Sequence, residues 1–394
     1  MFDLDAQWRR VRDSRLEPRI PTGVVLQTIW LLFICRLPSL NALDERRGHR
    51  LWRRYLGRAL PSADEIAWES EQLILTDVRE VLAHVYTRCM RAKVLRPLYG
   101  WRGAAVDGHE INASYSRCCD ACLTRQIETA AGVRTQYYHR LVVLELIGPD
   151  YRLLLDAELQ APGEDELAPA RRLLARVLKR FPRAFDILMG DALYACAPIF
   201  NLLAEHEKYG LMVLKDDRRI LLQDALALFA GQSPQVVEQT GTRYERWDLD
   251  GFTSWPEVKT PVRVIRSREI HNQTVIRGGR PDSRTTEHDW IWVTTLPAAL
   301  LTTEHASTFG HARWQIENQG FNELSNAWHS DHYFHHHPVS ILAFWLILFV
   351  AHATFHCFIT RNLKPAARIG MSTIRFAERL FAEFILDPIW PPDG

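Results

Sequence analysis

No charge of either sign dominates this chain. Its 48 Lys and Arg stand against 47 Asp and Glu in 394 residues, so any nucleic-acid surface must come from local clustering and not from a global field. An apolar leader is also missing: MFDLDAQWRR has no signal core before a cleavage site. The seven cysteines, at 35, 89, 118, 119, 122, 196 and 357, are an odd number for a disulfide framework. A reducing cytoplasm is the expected compartment. Unbroken membrane-length runs are lacking, because Val24 to Cys35 is too short and His352 and His356 interrupt Val339 to Ile359. Both stretches are expected as buried core helices, with no membrane partner. There is no internal repeat or low-complexity tract. What is present, 47% apolar and 24% charged residues, describes a globular protein able to bury a large core.

Residues 1–98 read as helical. Val78, Val81, Leu82 and Val85 form one apolar stripe in a stretch opened by Thr76 and Asp77, and Ser62-x-x-Glu65 looks like a capping box. Before both, RRGHRLWRRYLGR interleaves Arg46, Arg47, Arg50, Arg53, Arg54 and Arg58 with Trp52 and Tyr55. Contact with a DNA backbone and a solvated helix face are equally open readings of it.

From residue 99 the pattern turns to β. Gly103 to Ile111 reads as a strand, and Tyr138 to Ile147 and Tyr151 to Glu158 flank the hairpin turn Gly148-Pro149-Asp150. A helix follows from the acidic turn Glu164-Asp165-Glu166 to the basic end Lys179-Arg180, charges that suit its dipole, so this acidic run is expected to cap and not to catalyse. Strand Ala184 to Gly190, helix Pro198 to Lys208 and strand Gly210 to Leu214 complete the order of an α/β, RNase H-like mixed-sheet core, in which the first and fourth strands lie parallel and adjacent. Residues 216–300 carry short β-like runs without helical period and are expected to be a β-rich insertion.

Three carboxylates stand out against this order. Asp107 in GAAVDGHEI and Asp191 in FDILMGDALYA each close an apolar run and would sit at neighbouring strand ends, while Glu317 in HARWQIENQGF lies at the border of a helical stripe of Ile316, Gly320, Phe321, Leu324 and Trp328. Such a trio offers the hard oxygen ligands that Mg²⁺ or Mn²⁺ prefers, and two ions about 4 Å apart suit in-line phosphodiester displacement. A lone Asp at a strand end is otherwise a cap or turn residue. Arg313, one turn before Glu317, would either pair with it or grip a phosphate.

GHARWQIENQGFNEL, GDALYA and VDGHEI together resemble the DDE transposases of bacterial insertion sequences, in the group whose β insertion separates the second Asp from the Glu. The resemblance spans most of the chain, including LPSLNALD. It implies metal-dependent cleavage at element ends followed by attack of the freed 3′-hydroxyl on target DNA, with Asp107, Asp191 and Glu317 as the triad. Double-stranded DNA, as element ends and target, is then the partner, with a homodimer in the DNA complex. The bacterial nucleoid is the place of action. The family's Tyr-x-x-Arg-x-x-x-Glu-x6-Lys pattern is kept only at Arg313 and Glu317: Gly310 stands at the Tyr position and Leu324 at the Lys position. His311 or a histidine of HSDHYFHHHP would have to substitute, unless the latter is a solvated loop.

Related transposases stack an aromatic from the insertion on an extruded base, a role that would fall to Trp292 in WIWVTTL; burial of Trp290 and Trp292 on one strand face is the plainer expectation. Lys215, just past the last core strand, is a candidate backbone contact. Cys118, Cys119 and Cys122 in SRCCDACLTR, with His139 and with His109 nearby, offer soft ligands for zinc, the alternative being reduced loop thiols.

The expected organisation is a helical DNA-binding region (1–98), an RNase H-like core (99–215), a β-rich insertion (216–300) and core helices carrying Glu317 (301–394). The expected function is DDE transposition. Its rivals are a silent, DNA-binding descendant, a stand-alone nuclease of the same fold, and a zinc-stabilised interaction module.

Overall fold

The computed structural model describes all residues except 49, 131, 217–218, 278–279, 365–369 and 386–394, and the side chains except those of 50–51, 273–277, 280–283 and 383–385 as well. The chain forms two compact units. The first comprises Met1–Arg96, Gly108–Leu173 and Glu317–Gly394; the second comprises Pro97–Asp107 and Leu174–Ile316.

The first unit opens with six helices: α1 Leu4–Trp8, α2 Thr22–Ile34, α3 Leu40–Asp44, α4 Arg50–Leu56, α5 Ala63–Ser70 and α6 Leu75–Arg91. The capping box forms as expected, with Ser62 accepting from the Glu65 amide and the Glu65 side chain accepting from the Ser62 amide. The α6 stripe Val78, Val81, Leu82 and Val85 is buried, while Asp77 receives both arms of Arg12 at 2.8 and 3.0 Å.

The centre of this unit is α12, Pro338–Arg361, which packs on α2, α5 and α6 and on strand β4, Leu153–Leu159. By length and composition it could cross a membrane, yet most of its apolar stretch is buried inside the protein. Leu346, Ile347, Phe349 and Val350 are fully enclosed. Each such side chain contributes roughly 1.5–3 kcal/mol, which is reason enough for a helix apolar on all sides to be a core helix. Strands β1 (Gly103–Ser114), β2 (Leu123–Thr129) and β3 (Gly132–Ile147) complete the unit, in the order β2-β3-β1, with β4 antiparallel to the later part of β3. Sequence patterning did not reveal β2 or the first six residues of β3, because this ribbon is mostly polar and, after Leu123, only exposed or half-buried.

The second unit contains the first part of β1, then β5 (Ile187–Gly190), helix α8 (Ala197–Glu205), β6 (Tyr209–Val213), helix α9 (Ile220–Ala230), strands β7 (Gln235–Gln239), β8 (Thr242–Phe252), β9 (Val262–Arg277) and β10 (Arg280–Thr294), and helix α10 (Thr303–Ala312). Helix α7, Leu167–Arg180, begins in the first unit and ends in the second. β1, β5 and β6 are parallel; β10, β9, β8 and β7 follow, all antiparallel. With β4-β3-β1 in one unit and β1-β5-β6 in the other, these are the strand neighbours of an RNase H-like mixed sheet.

The insertion differs from expectation in one respect. α9 is a helix where no helical period had been read; its Leu221, Leu222, Ala225 and Phe229 are buried, but exposed Leu226 and Leu228 blur the stripe. Three arginines of β9 are neutralised. Arg263 pairs with Asp248 at 2.5 Å, Arg266 with Asp289 at 2.7 Å and Arg268 with Glu287 at 2.5 Å, so the basic run VRVIRSREI serves cross-strand pairing.

Candidate active site

Asp107 and Asp191 owe their placement to parallel pairing. The register runs Gly103↔Ile187, Ala104↔Leu188, Ala105↔Met189, and continuing it by two residues sets Asp107 against Asp191. Parallel neighbours lie about 4.8 Å apart, close enough for two carboxylates to share a cation. β1 does not stop there but runs on to Ser114 beside β3, so Asp107 lies inside a strand and not at its end, at the point where the partner β5 gives out.

Their surroundings differ. The Asp107 side chain is 13% exposed, with Arg313 Nη1 at 3.7 Å from Oδ2, and Arg313 is itself buried with its guanidinium over the Trp314 ring. At that separation the contact is coulombic and not a hydrogen bond. Asp191 is half-buried, and its Oδ1 accepts the Leu193 amide at 2.8 Å, which fixes the rotamer. No described donor meets Oδ2. Two carboxylates set against each other in this way offer the hard oxygen donors that suit a divalent cation.

Glu317 opens the last segment of the first unit, half-buried, in a π-helical turn from Ile316 to Phe321 that leads into α11, Asn322–Trp328. The stripe expected here is buried at Ile316, Gly320, Phe321, Leu324 and Trp328. The turn is looser than the periodicity suggested. π-turns of this kind are rare and concentrate at functional sites. Gly320 lies within it, where a Cβ would stand 3.1 Å from the buried Glu145 carboxylate.

The family model for a transposase DDE domain matches residues 102–353, which include Asp107, Asp191 and Glu317. The chain belongs to the transposase DDE domain family. No curated protein matches it.

Where this chain departs from the helix pattern it was expected to share, packing fills the positions concerned. At Gly310, the family's Tyr position, a Cβ would stand 2.5 Å from Trp292 Cε2. Trp292 fills that space, 1% exposed, parallel to Trp290 at 6.2 Å and edge-on to His311 at 5.1 Å. It is therefore a core residue here and offers no face to an extruded base. Leu324, at the Lys position, is fully buried. His311 is committed to Glu269 at 2.7 Å.

Of the other candidates, Lys215 is exposed just beyond β6. In the arginine cluster, Trp52 is buried and donates to the Arg46 carbonyl at 2.7 Å; Arg46 bonds the Ala42 carbonyl and Arg47 the Leu60 carbonyl. Arg53 and Arg54 are exposed on α4, and the Arg50 side chain lies outside the described residues. Asp165 caps the Ala168 amide while Glu164 and Glu166 pair with Arg172 and Arg140, so the acidic run before α7 is structural.

HSDHYFHHHP is not a solvated loop. His335 pairs with Glu71 at 2.5 Å, and His336 Nε2 stands 3.2 Å from Cys122 Sγ. Cys119, Cys122 and His139 gather with His336, whereas Cys118, expected in that group, is exposed and outside it. His109 stacks on Phe321 at 4.4 Å and faces Asp331. Burial pushes Cys122 up to about 11 and holds His139 down at about 4. Sequence patterning did not place His336 in this group, since the histidine run lies about two hundred residues from the cysteines and its spacing to them carries no signal. Glu323, His352 and His356 form a second group, but Glu323 already receives His356 at 2.7 Å and lies 3.4 Å from Arg152, a closed ion network.

Proposed function

We propose that this chain is a DNA transposase that cleaves element ends and joins them to target DNA by the DDE mechanism. The observation carrying the reading is the parallel register that sets Asp107 against Asp191 in a chain of this family. Asp107, Asp191 and Glu317 would hold Mg²⁺ or Mn²⁺, which supplies charge neutralisation at the phosphoryl group and lowers the pKa of the attacking hydroxyl. Arg313, beside Asp107, orients that carboxylate and carries positive charge for the scissile-strand phosphate. Lys215 contacts the backbone, and Arg53 and Arg54 with the rest of the helical region 1–98 bind element ends as sequence-independent phosphate contacts. The insertion, 216–300, and the helices of 301–394 frame the catalytic core. Two protomers would act on paired ends, in the cytoplasm and on the nucleoid.

The test uses duplexes taken from the DNA flanking the coding region. Full-length protein with Mg²⁺ is expected to nick at the element end and give joined products, and Asp191→Asn to give neither. Wild-type cleavage by Asp191→Asn would overturn the assignment. Gly310 and Leu324, in place of two family phosphate contacts, favour a second reading, a silent DNA-binding descendant, which predicts binding of the same duplex without nicking. Nicking without joined products would identify a stand-alone nuclease.

A further inference from the structure

Cys119 and Cys122 lie in the turn between β1 and β2, His139 on β3, and His336 in the segment leading into α12, all within the first unit. Their ligand atoms converge. Cys119 Sγ stands 3.7 Å from Cys122 Sγ and 3.5 Å from His139 Nε2; Cys122 Sγ stands 3.4 Å from His139 Nε2 and 3.2 Å from His336 Nε2. All four atoms lie within 4.8 Å of one another. A tetrahedron with metal–sulfur bonds of about 2.3 Å and metal–nitrogen bonds of about 2.0–2.1 Å has sulfur–sulfur edges of about 3.8 Å and sulfur–nitrogen edges of about 3.5 Å. The observed edges match that figure. They do not match a disulfide, whose sulfurs lie about 2.05 Å apart.

Burial adds a separate argument. His139 is fully enclosed, its Nδ1 has no hydrogen-bond partner and its Nε2 faces only sulfur atoms. Sulfur is a poor substitute for the water an imidazole leaves behind, so this burial carries a cost that a bond from Nε2 to a metal would offset. Tyr333 stacks on His336 at 5.3 Å and 10°, holding that ring in place.

We propose that Cys119, Cys122, His139 and His336 form a structural Cys2His2 zinc site. Two thiols lose their protons to solvent on loading, so the two thiolates neutralise Zn²⁺ and both imidazoles bind as neutral donors. Four protein ligands fill the tetrahedron and leave no position for water or substrate, which makes the site structural. It ties the β2-β3 ribbon to the entry of α12, and it is separate from the carboxylates assigned to DNA cleavage.

The full chain, produced in zinc-supplemented cells and purified in reducing buffer, is expected to contain about one zinc per chain. Cobalt in its place is expected to give the intense visible bands of a tetrahedral centre with thiolate charge transfer. Cys119→Ser and His336→Ala should each lose the metal, while Cys118→Ser keeps it. If the ligand variants fail to fold, the parent's metal content and cobalt spectrum decide alone. A parent holding less than about a tenth of an equivalent and giving only weak octahedral cobalt bands would overturn the site. So would a Cys119–Cys122 disulfide in that reduced preparation, or equal zinc loss from Cys118→Ser.

Discussion

The carboxylate pair and the thiol–imidazole cluster gather two different kinds of donor side chain, and they differ in almost every physical respect. Asp107 and Asp191 are hard oxygen donors, partly accessible, brought together by the register of two parallel strands. Cys119, Cys122, His139 and His336 are softer donors, drawn from a turn, a strand and a loop far apart in sequence, and largely enclosed. An open oxygen site leaves room for substrate, whereas a closed sulfur–nitrogen site holds segments in place. One region is thus suited to chemistry and the other to stability.

That contrast can be broken experimentally. The largest expected effect is on activity: Asp107→Asn or Asp191→Asn should lower strand cleavage by at least roughly 10³-fold, the scale of losing a group that acts on the transition state, with little change in the melting temperature. Equal loss of both activity and folding would erase the distinction. Stripping zinc with a chelator that spares Mg²⁺ should do the opposite, lowering the thermal midpoint by about 5 °C or more while cleavage at low temperature falls less than about tenfold.

Glu145 sharpens the comparison as a buried acid that has no proposed metal. Burial pushes its carboxyl up to about 7, against the opposing pull of Arg152. A carboxyl whose folded value lies above its unfolded one favours the fold below about pH 4.5 and costs stability as pH rises towards 7. Glu145→Gln should therefore gain stability on the parent across that window, on the order of 3 kcal/mol by its upper end, in denaturant titrations at several pH values. A difference that does not change with pH would remove this account.

Gly310→Ala should cost about 1–3 kcal/mol through its clash with Trp292, and the cost should shrink in a Trp292→Leu background; additive effects would mean the two do not share that space. Smallest of all, Cys118→Ser should change stability by no more than about 0.5 kcal/mol, since the side chain is exposed.

Much of the fold was legible because alternation and capping are local. The α6 stripe, the Ser62–Glu65 box and the strands around Asp107 and Asp191 could each be read from a few consecutive residues. The β2-β3 ribbon and α9 were not, since a ribbon with polar residues on both faces and a helix with leucines on its exposed side break the periodic rule. The π-turn at Glu317 was illegible for another reason. Its Gly320 packs against a carboxylate from β3, and a contact between residues 175 positions apart leaves no local pattern.

The sequence by itself determined the family and the core elements around Asp107 and Asp191, because motif spacing and apolar period survive without coordinates. Only the tertiary structure decided that Trp292 is packing and not a base platform, that Gly310 is bare because that ring occupies its space, and that His336 and not Cys118 joins the sulfur cluster. Those outcomes depend on which distant side chains compete for one volume, and close packing settles that competition where sequence spacing is silent.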